Sequence, residues 1–215
     1  QRGSRDRGVM SAVRVVVQNL QKKPGLASSV INAEHPDVFL IQEIDFLSEG
    51  EEGPQKFPAR YVSKRGYGTA IFSPNTLENI RVVRSPHTEA IATIFKKTTI
   101  AEVGGVQYVS MHGYNGWPLK RVERLVDHVE AVLEVITPDT PALFAGDFNT
   151  WTQEHLDAVT ASMAKAGFSL VYSWPYPGRD FPLDHAFARG LKNVVESSHY
   201  GNEADHRGAV LVLEF

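Results

Sequence analysis

The stretch Pro141-Ala142-Leu143-Phe144-Ala145-Gly146-Asp147-Phe148-Asn149 decides how the rest of the chain is read. Its apolar run, bounded by Pro141 and Gly146, has the length of a short buried strand. That strand delivers a glycine and then Asp147 and Asn149, two positions apart, so period-two alternation points both side chains the same way. A carboxylate and an amide at the end of a buried strand are reactive groups on a rigid support.

The elements around it alternate between two periods. Residues 118–136 start on a proline and carry Leu119, Val122, Leu125, Val126, Val129, Val132, Leu133 and Ile136 on one stripe, opposite Lys120, Arg121, Glu123, Arg124 and Glu130. This predicts a long helix that covers a core with one side only. Residues 152–167 predict a second amphipathic helix, and 183–189, 193–199 and 209–215 predict closing strands. Towards the N-terminus, two β-branched runs, 12–19 and 37–44, flank a helical pattern at 26–34 bounded by Pro24, Gly25 and Pro36, which gives strand, helix, strand. Between lie strand-like runs at 61–64, 67–73, 80–84, 88–96, 99–103 and 106–111, with Gly104-Gly105 as a two-residue hairpin turn. Consecutive strands without helices between them imply antiparallel pairing. No linker or fixed-period repeat divides the chain, so one α/β domain with two covered sheets is expected.

With 215 residues, 42% of them hydrophobic and 22% charged, the composition excludes disordered, collagen-like and coiled-coil classes. There is no cysteine, so a metal would have to be held by oxygen or imidazole. No apolar run approaches the roughly 18 residues of a membrane span, and no signal-type apolar region follows the basic start, so a cytoplasmic location without a membrane span is expected. Residues 1–9, with Arg2, Arg5 and Arg7 against Asp6, read as a tail ahead of a domain at 10–215. A net charge of −3 does not advertise a polyanionic partner.

Polar groups collect at the ends of the predicted strands: Asn19, Gln42-Glu43, His112 with Asn115, Asp147 with Asn149, and Asp205-His206, with Asp184 at the start of another strand. Taken singly each has a bland reading, Asn19 as a turn residue and Asp205-His206 as a solvated loop.

Taken in order, Asn19, the Gln42-Glu43 pair, Ser110-Met111-His112, Gly146-Asp147-Phe148-Asn149, Leu183-Asp184-His185 and Ala204-Asp205-His206-Arg207 resemble the endonuclease/exonuclease/phosphatase (DNase I-like) family. The resemblance runs from about Val13 to the C-terminus. In style, GDFNTW and PLDHAFARGL are similar to small bacterial and phage members of undefined substrate. It implies a four-layered α/β/β/α sandwich of two packed mixed sheets, and a metal-assisted phosphodiesterase. Glu43 would be the principal Mg²⁺ ligand, with Mn²⁺ a possible substitute, Asn19 close by and Asp205 near the metal directly or through water. Asp147 would activate the attacking water, and Asn149 would hold phosphate and water. His206 would donate to a nonbridging phosphate oxygen, with Asp184 fixing its orientation. His112 and Asn115 would contact the phosphate. The sequence departs from the family at Ala204, where serine is usual, and at Gly208, where proline is frequent; both are expected to loosen the loop. Gln21 stands where some nucleases place a second acidic group, which puts a second metal in question. The chain is also short for the family, so long DNA-embracing loops are expected to be trimmed.

Substrate class has only local signals, because one fold hosts many substrates. Trp117, Trp151 and Trp174 fall on expected site-edge loops, where they either stack on unpaired bases or cap the core. Lys64-Arg65, Lys96-Lys97, Lys120-Arg121, Arg124 and Arg207 either track a phosphate backbone or lie on solvated faces. The expectation is a Mg²⁺-dependent phosphodiester hydrolase, a nuclease acting on DNA. Its alternatives are a phosphatase or phospholipase on a small or lipid phosphoester, and a non-catalytic interaction domain. Glu43, Asp147, Asp184 and Asp205 together exceed the net charge of −3, so the acidity is partly the expected site itself. Oligomeric state has no signature in the sequence.

Overall fold

Apolar, β-branched runs pair into two six-stranded sheets in the computed structural model, which describes residues 12–44, 59–63, 68–89 and 94–215. The expected tail at 1–9 and the Lys64-Arg65 pair lie outside the described residues. The first sheet contains β1 (Val13–Asn19), β2 (Val38–Gln42), β3 (Ala59–Ser63) and β4 (Thr69–Ser73), together with the late strands β11 (Asn193–Tyr200) and β12 (Gly208–Glu214). Its order is β11-β12-β1-β2-β4-β3. The second contains β5 (Glu78–Thr88), β6 (Phe95–Val103), β7 (Val106–His112), β8 (Ala142–Asp147), β9 (Ser169–Trp174) and β10 (Asp184–Arg189), in the order β5-β6-β7-β8-β10-β9. Each sheet has one parallel pair at its centre, β1 with β2 and β7 with β8, and antiparallel strands around it.

The sheets share a core of Val15, Val17 and Leu40 from one and Tyr108, Leu143 and Ala186 from the other. Helix α1 (Pro24–Glu34) covers the first sheet with Leu26, Val30 and Ile31. Helices α2 (Val122–Leu133) and α3 (Gln153–Lys165) cover the second with Leu125, Val129, Val132, Val159 and Met163. These are the four layers expected: helix, sheet, sheet, helices.

This arrangement brings the strand ends to one edge. Parallel β1 and β2 end there at Asn19 and Gln42, which are register partners. Parallel β7 and β8 end there at His112 and Asp147, also register partners. The antiparallel strand β10 starts there, with Asp184 opposite Asp147.

Two local expectations are corrected, and one strand is added. The run expected at 80–84 belongs to a longer strand, β5, whose two register irregularities carry it to Thr88, and the run expected at 99–103 is the second half of β6; residues 90–93 of the run expected at 88–96 lie outside the described residues. The long helix begins at Val122, not at residue 118, and ends at Leu133; Leu119 is 83% exposed, and the preceding residues go to the cleft rim instead. Residues 169–174, for which no strand is expected from sequence, form β9 by pairing with β10.

Candidate functional site

A cleft of about 490 Å³ opens at the edge where the strands end. Among its lining residues are Glu43, His112, Asn115, Asp147, Asn149, Asp205 and His206, so the structure brings together most of the residues singled out by sequence. Asp184 lies directly behind His206, and Asn19 lies between Glu43 and Asp147.

The floor is a chain of acids and imidazole. His206 Nδ1 sits 2.7 Å from Asp184 Oδ2, while its Nε2 lies 3.4 Å from Asp147 Oδ2. Burial pushes the Asp184 carboxyl up, to about 7, against the pull of the facing imidazole. Burial disfavours the charged form of His206 as well, but the carboxylates of Asp184 and Asp147 outweigh it and hold the imidazole up at about 10. The proton of this pair therefore resides on the imidazole. Tyr176 closes the site over His206, edge to face at 4.8 Å, and its hydroxyl donates to Asp205 Oδ2.

Asp147 is held from several directions. Its Oδ1 accepts the Asn149 N–H at 2.8 Å, and its Oδ2 accepts Asn19 Nδ2 at 3.0 Å. Burial alone would raise its carboxyl, yet His206, His112 and Lys96 hold it below the ordinary value, so it is ionised. Gly146 before it has φ +141, and a Cβ there would meet Met111 O at 2.2 Å; only glycine allows this approach. Asn149 does not follow strand alternation, as the spacing suggested. It adopts φ +53, and the turn bonded to Asp147, not a pleat, brings its side chain to the cleft. Asn149 Nδ2 then donates to Gly113 O at 3.0 Å.

Glu43 follows β2 in a left-handed conformation, φ +54, which costs energy for a residue with a Cβ and is found at functional positions. Burial, then the facing charge of Asp147, raises its carboxyl above the usual range, partly offset by a hydrogen bond from Asn19. Two carboxylates thus confront each other across the Asn19 amide, which turns its NH₂ to them while its Oδ1 accepts the Gln21 N–H at 2.9 Å. A divalent cation would relieve the repulsion between the carboxylates, with the Asn19 oxygen available to it once the amide turns. These residues fit a hard cation. Asp147, Asp184 and His206 also have ligand atoms within 4.8 Å of one another, but their contacts are already hydrogen bonds among themselves and to neighbours.

The opposite wall is built around Glu89 and Lys96. Both Glu89 oxygens accept backbone N–H groups, of Asn115 at 2.9 Å and Gly116 at 2.8 Å. Lys96 Nζ, fully buried, donates to Gly113 O at 2.8 Å and lies 3.2 Å from His112 Nε2 and 3.6 Å from Glu89 Oε1. His112 is thus paired with a lysine at the very nitrogen that faces Glu43 and Asp147, each at 3.7 Å. Lys120 reaches Tyr114 O at 2.8 Å and Asn149 O at 2.5 Å. Sequence reasoning missed Glu89, Tyr176 and Arg179, all of which line the cleft, and saw Lys96 only as one of several scattered cations.

The loop before β12 is not loosened by Ala204 and Gly208. Asn202 Oδ1 accepts the Ala204 N–H, Gln21 Oε1 accepts the Asp205 N–H, and Gln18 Nε2 donates to the His206 carbonyl. A Cβ on Gly208 would meet the Tyr200 ring at 2.2 Å and Gln18 Oε1 at 2.4 Å, so this glycine permits close packing. Of the three tryptophans, Trp174 is core: it is 1% exposed and its Nε1–H holds the Arg207 carbonyl at 3.0 Å. Trp117 and Trp151 line the cleft.

Among the described residues no helix is long and apolar enough to cross a membrane. The fold is similar to that of an endonuclease/exonuclease/phosphatase from Beutenbergia cavernae, with a TM-score of 0.74 at 18% identity over 94% of this chain and 71% of that one. It is also similar to D. rerio TDP2 complexed with a single strand DNA product, with a TM-score of 0.68 at 16% identity over 95% and 100% of the two chains. A UPF0294 protein of Vibrio vulnificus is 33% identical over 103 residues, which is 46% of this chain and only 36% of that relative's length. Residues 17–206, from the third residue before Leu20 to the cleft histidine, match the Endonuclease/Exonuclease/phosphatase family, whose members are hydrolases acting on phosphoester bonds, and the chain belongs to that family.

Proposed function

We propose that this chain is a divalent-metal-dependent phosphodiester hydrolase, a nuclease acting on DNA. The observation that carries the reading is the contact chain Asp147–His206–Asp184 at the floor of the cleft. It sets an ionised carboxylate beside a protonated imidazole whose charge a second, buried carboxylate sustains.

Each group has one task in this reading. Asp147, kept ionised, orients a water and accepts its proton as the new bond to phosphorus forms. Asn149, fixed by its bonds to Asp147 and Gly113, holds the phosphate and that water. His206 donates from Nε2 to a nonbridging oxygen as charge builds there, and Asp184 keeps the ring in the orientation that allows it. Asn115 and the Lys96–His112 pair face the phosphate from the other wall. Glu43 and Asn19, with Asp205 near, would hold a Mg²⁺ ion, which when bound neutralises phosphate charge and stabilises the leaving oxygen. DNA as substrate draws support from the family and from the fold shared with D. rerio TDP2, whose structure contains a DNA product.

Cleavage of DNA supplied both as supercoiled plasmid and as a single-stranded oligonucleotide, with Mg²⁺ and with EDTA, tests this directly. Asp147→Asn should reduce turnover by about a thousandfold, the loss of a positioned base. Turnover unaffected by EDTA or by Asp147→Asn overturns the reading. Release of headgroups from sphingomyelin or phosphatidylinositol phosphates without attack on DNA replaces the nuclease by a lipid phosphodiesterase.

A further inference from the structure

The reactive groups are sunk: Asp147, Asp184, His112 and His206 are all buried, while the rim above them carries Trp117, Trp151, Tyr176 and Arg179. Two features of that rim go beyond phosphate chemistry. Trp117 is 60% exposed, a large apolar ring presented to water at the mouth of a cleft lined largely by polar groups. Trp151 is immobilised. Its Nε1–H donates to Asn115 Oδ1 at 3.0 Å, its backbone N–H donates to His155 Nδ1 at 3.0 Å, and the Lys120 ammonium lies 5.1 Å from its ring centroid.

The Trp151–Asn115 bond has a direct chemical consequence. It engages the amide oxygen, which leaves the NH₂ group, a donor, as the end of Asn115 available to an anion in the cleft that Asn115 lines. An aromatic face and a phosphate donor are thereby locked together by one hydrogen bond. A ligand that satisfies both carries a planar ring and an anionic oxygen a short distance apart, with cations welcome around it: Lys120 beside Trp151 and Arg179 at 5.6 Å from the Tyr176 ring. A nucleotide has that chemistry. A phospholipid supplies the anion but no ring. In a paired duplex both faces of a base are covered by its neighbours, so no face is left for a tryptophan while the attached phosphate reaches a buried floor.

Resting on the phosphodiesterase reading, we propose that Trp151 and Trp117 form a stacking site for an unpaired nucleobase beside the phosphate that Asn115 holds. The substrate class is therefore single-stranded or frayed-end nucleic acid, not the interior of a duplex. Aromatic stacking on unpaired bases is tolerant of sequence, so no base preference is expected.

Binding is measured on the full chain in EDTA, where hydrolysis is suppressed, by the fluorescence anisotropy of end-labelled probes, a readout that does not depend on the tryptophans removed in the variants; tryptophan emission of the parent chain is followed only with vesicles. The probes are an eight-residue oligo(dT), an abasic phosphodiester chain of the same length, and a blunt duplex. Oligo(dT) should bind about tenfold more tightly than either the abasic chain or the duplex. That preference should shrink severalfold in Trp117→Ala, whose exposed side chain can be removed without disturbing the fold, and vanish in Trp117→Ala/Trp151→Ala. Equal affinity for oligo(dT) and the abasic chain overturns the proposal, as does a preference that survives the double substitution. A blue shift with vesicles of phosphatidylcholine and phosphatidylserine, without response to oligo(dT), overturns it in favour of a membrane surface. Hydrolysis with Mg²⁺ but equal binding of oligo(dT) and the abasic chain defeats the stacking site alone; tighter binding of oligo(dT) than of the abasic chain without hydrolysis defeats the catalytic reading alone.

Discussion

On the wall made by β8, β10 and the residues before β12, side chain bonds to side chain: His206 to Asp184, Asn19 to Asp147. On the facing wall, residues 112–120, side chains bond mainly to backbone: Glu89 to two N–H groups, Lys96 to Gly113 O, Lys120 to two carbonyls, and His128 Nδ1 accepting the Tyr114 N–H at 3.1 Å. The first wall inherits its geometry from strands in register, with Asp147 opposite both His112 and Asp184. The second, from Gly113 onward, is a loop without a ladder of its own, pinned by buried groups from β6 and α2 and by Glu89, which follows β5. Asp147 and Asp184 sit on ladders and hold His206, which belongs to the loop before β12, within fractions of an ångström, whereas groups that receive a substrate sit on a loop that other elements hold. The difference predicts that damage to the first wall falls on turnover, and damage to the second on substrate binding and local stability.

The largest effect should follow from breaking the wall that Asp147 and Asp184 anchor to the strands. His206→Gln removes the charge that faces the phosphate and should lower kcat by about a hundredfold or more with KM little changed. Steady-state kinetics on a single-stranded oligonucleotide measure both. A near-normal kcat would remove the imidazolium from the reaction and leave Asp147 and the cation to carry it.

Acid should weaken the loop wall. His128 is fully buried, and burial, reinforced by the cations of Lys96, His87 and Lys120, depresses its imidazole to about 3. The folded form binds its proton more weakly than the unfolded chain does. Its contribution is therefore complete above the ordinary histidine value, declines as pH falls below about 6.5, and is lost near pH 3. Between pH 6.5 and 5 the loss amounts to about 2 kcal/mol. His185, bonded to Thr150 and Ser173 and depressed by burial to about 4, adds a loss of the same sign. Thermal melting across this range should show the decline, and His128→Asn, which keeps an acceptor but does not titrate, should flatten it by about half. An unchanged pH slope in that variant would show that the Tyr114 pin does not govern the loop.

The same contrast explains what the sequence could announce. Strand β8 was legible because an apolar run ending in Gly146-Asp147 is a local pattern, and the edge it shares with Asn19, His112 and Asp184 follows once two sheets are expected. Glu89 was not legible, because its purpose is to accept two N–H groups 26 and 27 positions away and no local pattern encodes that. For the same reason a lysine among scattered cations gave no sign that Lys96 would be buried against His112. The start of α2 was misread since Leu119 fits an amphipathic stripe by spacing, while the ties of Lys120 to Tyr114 and Asn149 divert the chain to the rim. Asn149 reached its place by a left-handed turn that alternation does not foresee. Of the tryptophans, burial divides one from two: sequence sees three alike, and tertiary contacts make Trp174 a core residue.

The smallest effect tests whether the walls are separable. Lys120 ties the Tyr114 and Asn149 carbonyls together, and burial, then the charge of Lys96, depresses its ammonium to about 7. Lys120→Met keeps the aliphatic stem and removes the tie, at a cost of about 1 kcal/mol, so KM for a single-stranded oligonucleotide should rise severalfold. The depressed value adds a signature in pH. In the parent chain the cation is present below about 7 and lost above it, so KM should climb as pH passes from 6 to 8, and Lys120→Met should lack that climb. If Lys120→Met instead lowers kcat as far as His206→Gln does, the loop does more than receive substrate. Its hold on the Asn149 carbonyl would then be part of how Asn149 is aimed at the phosphate, and the boundary between the walls would run through Asn149 itself.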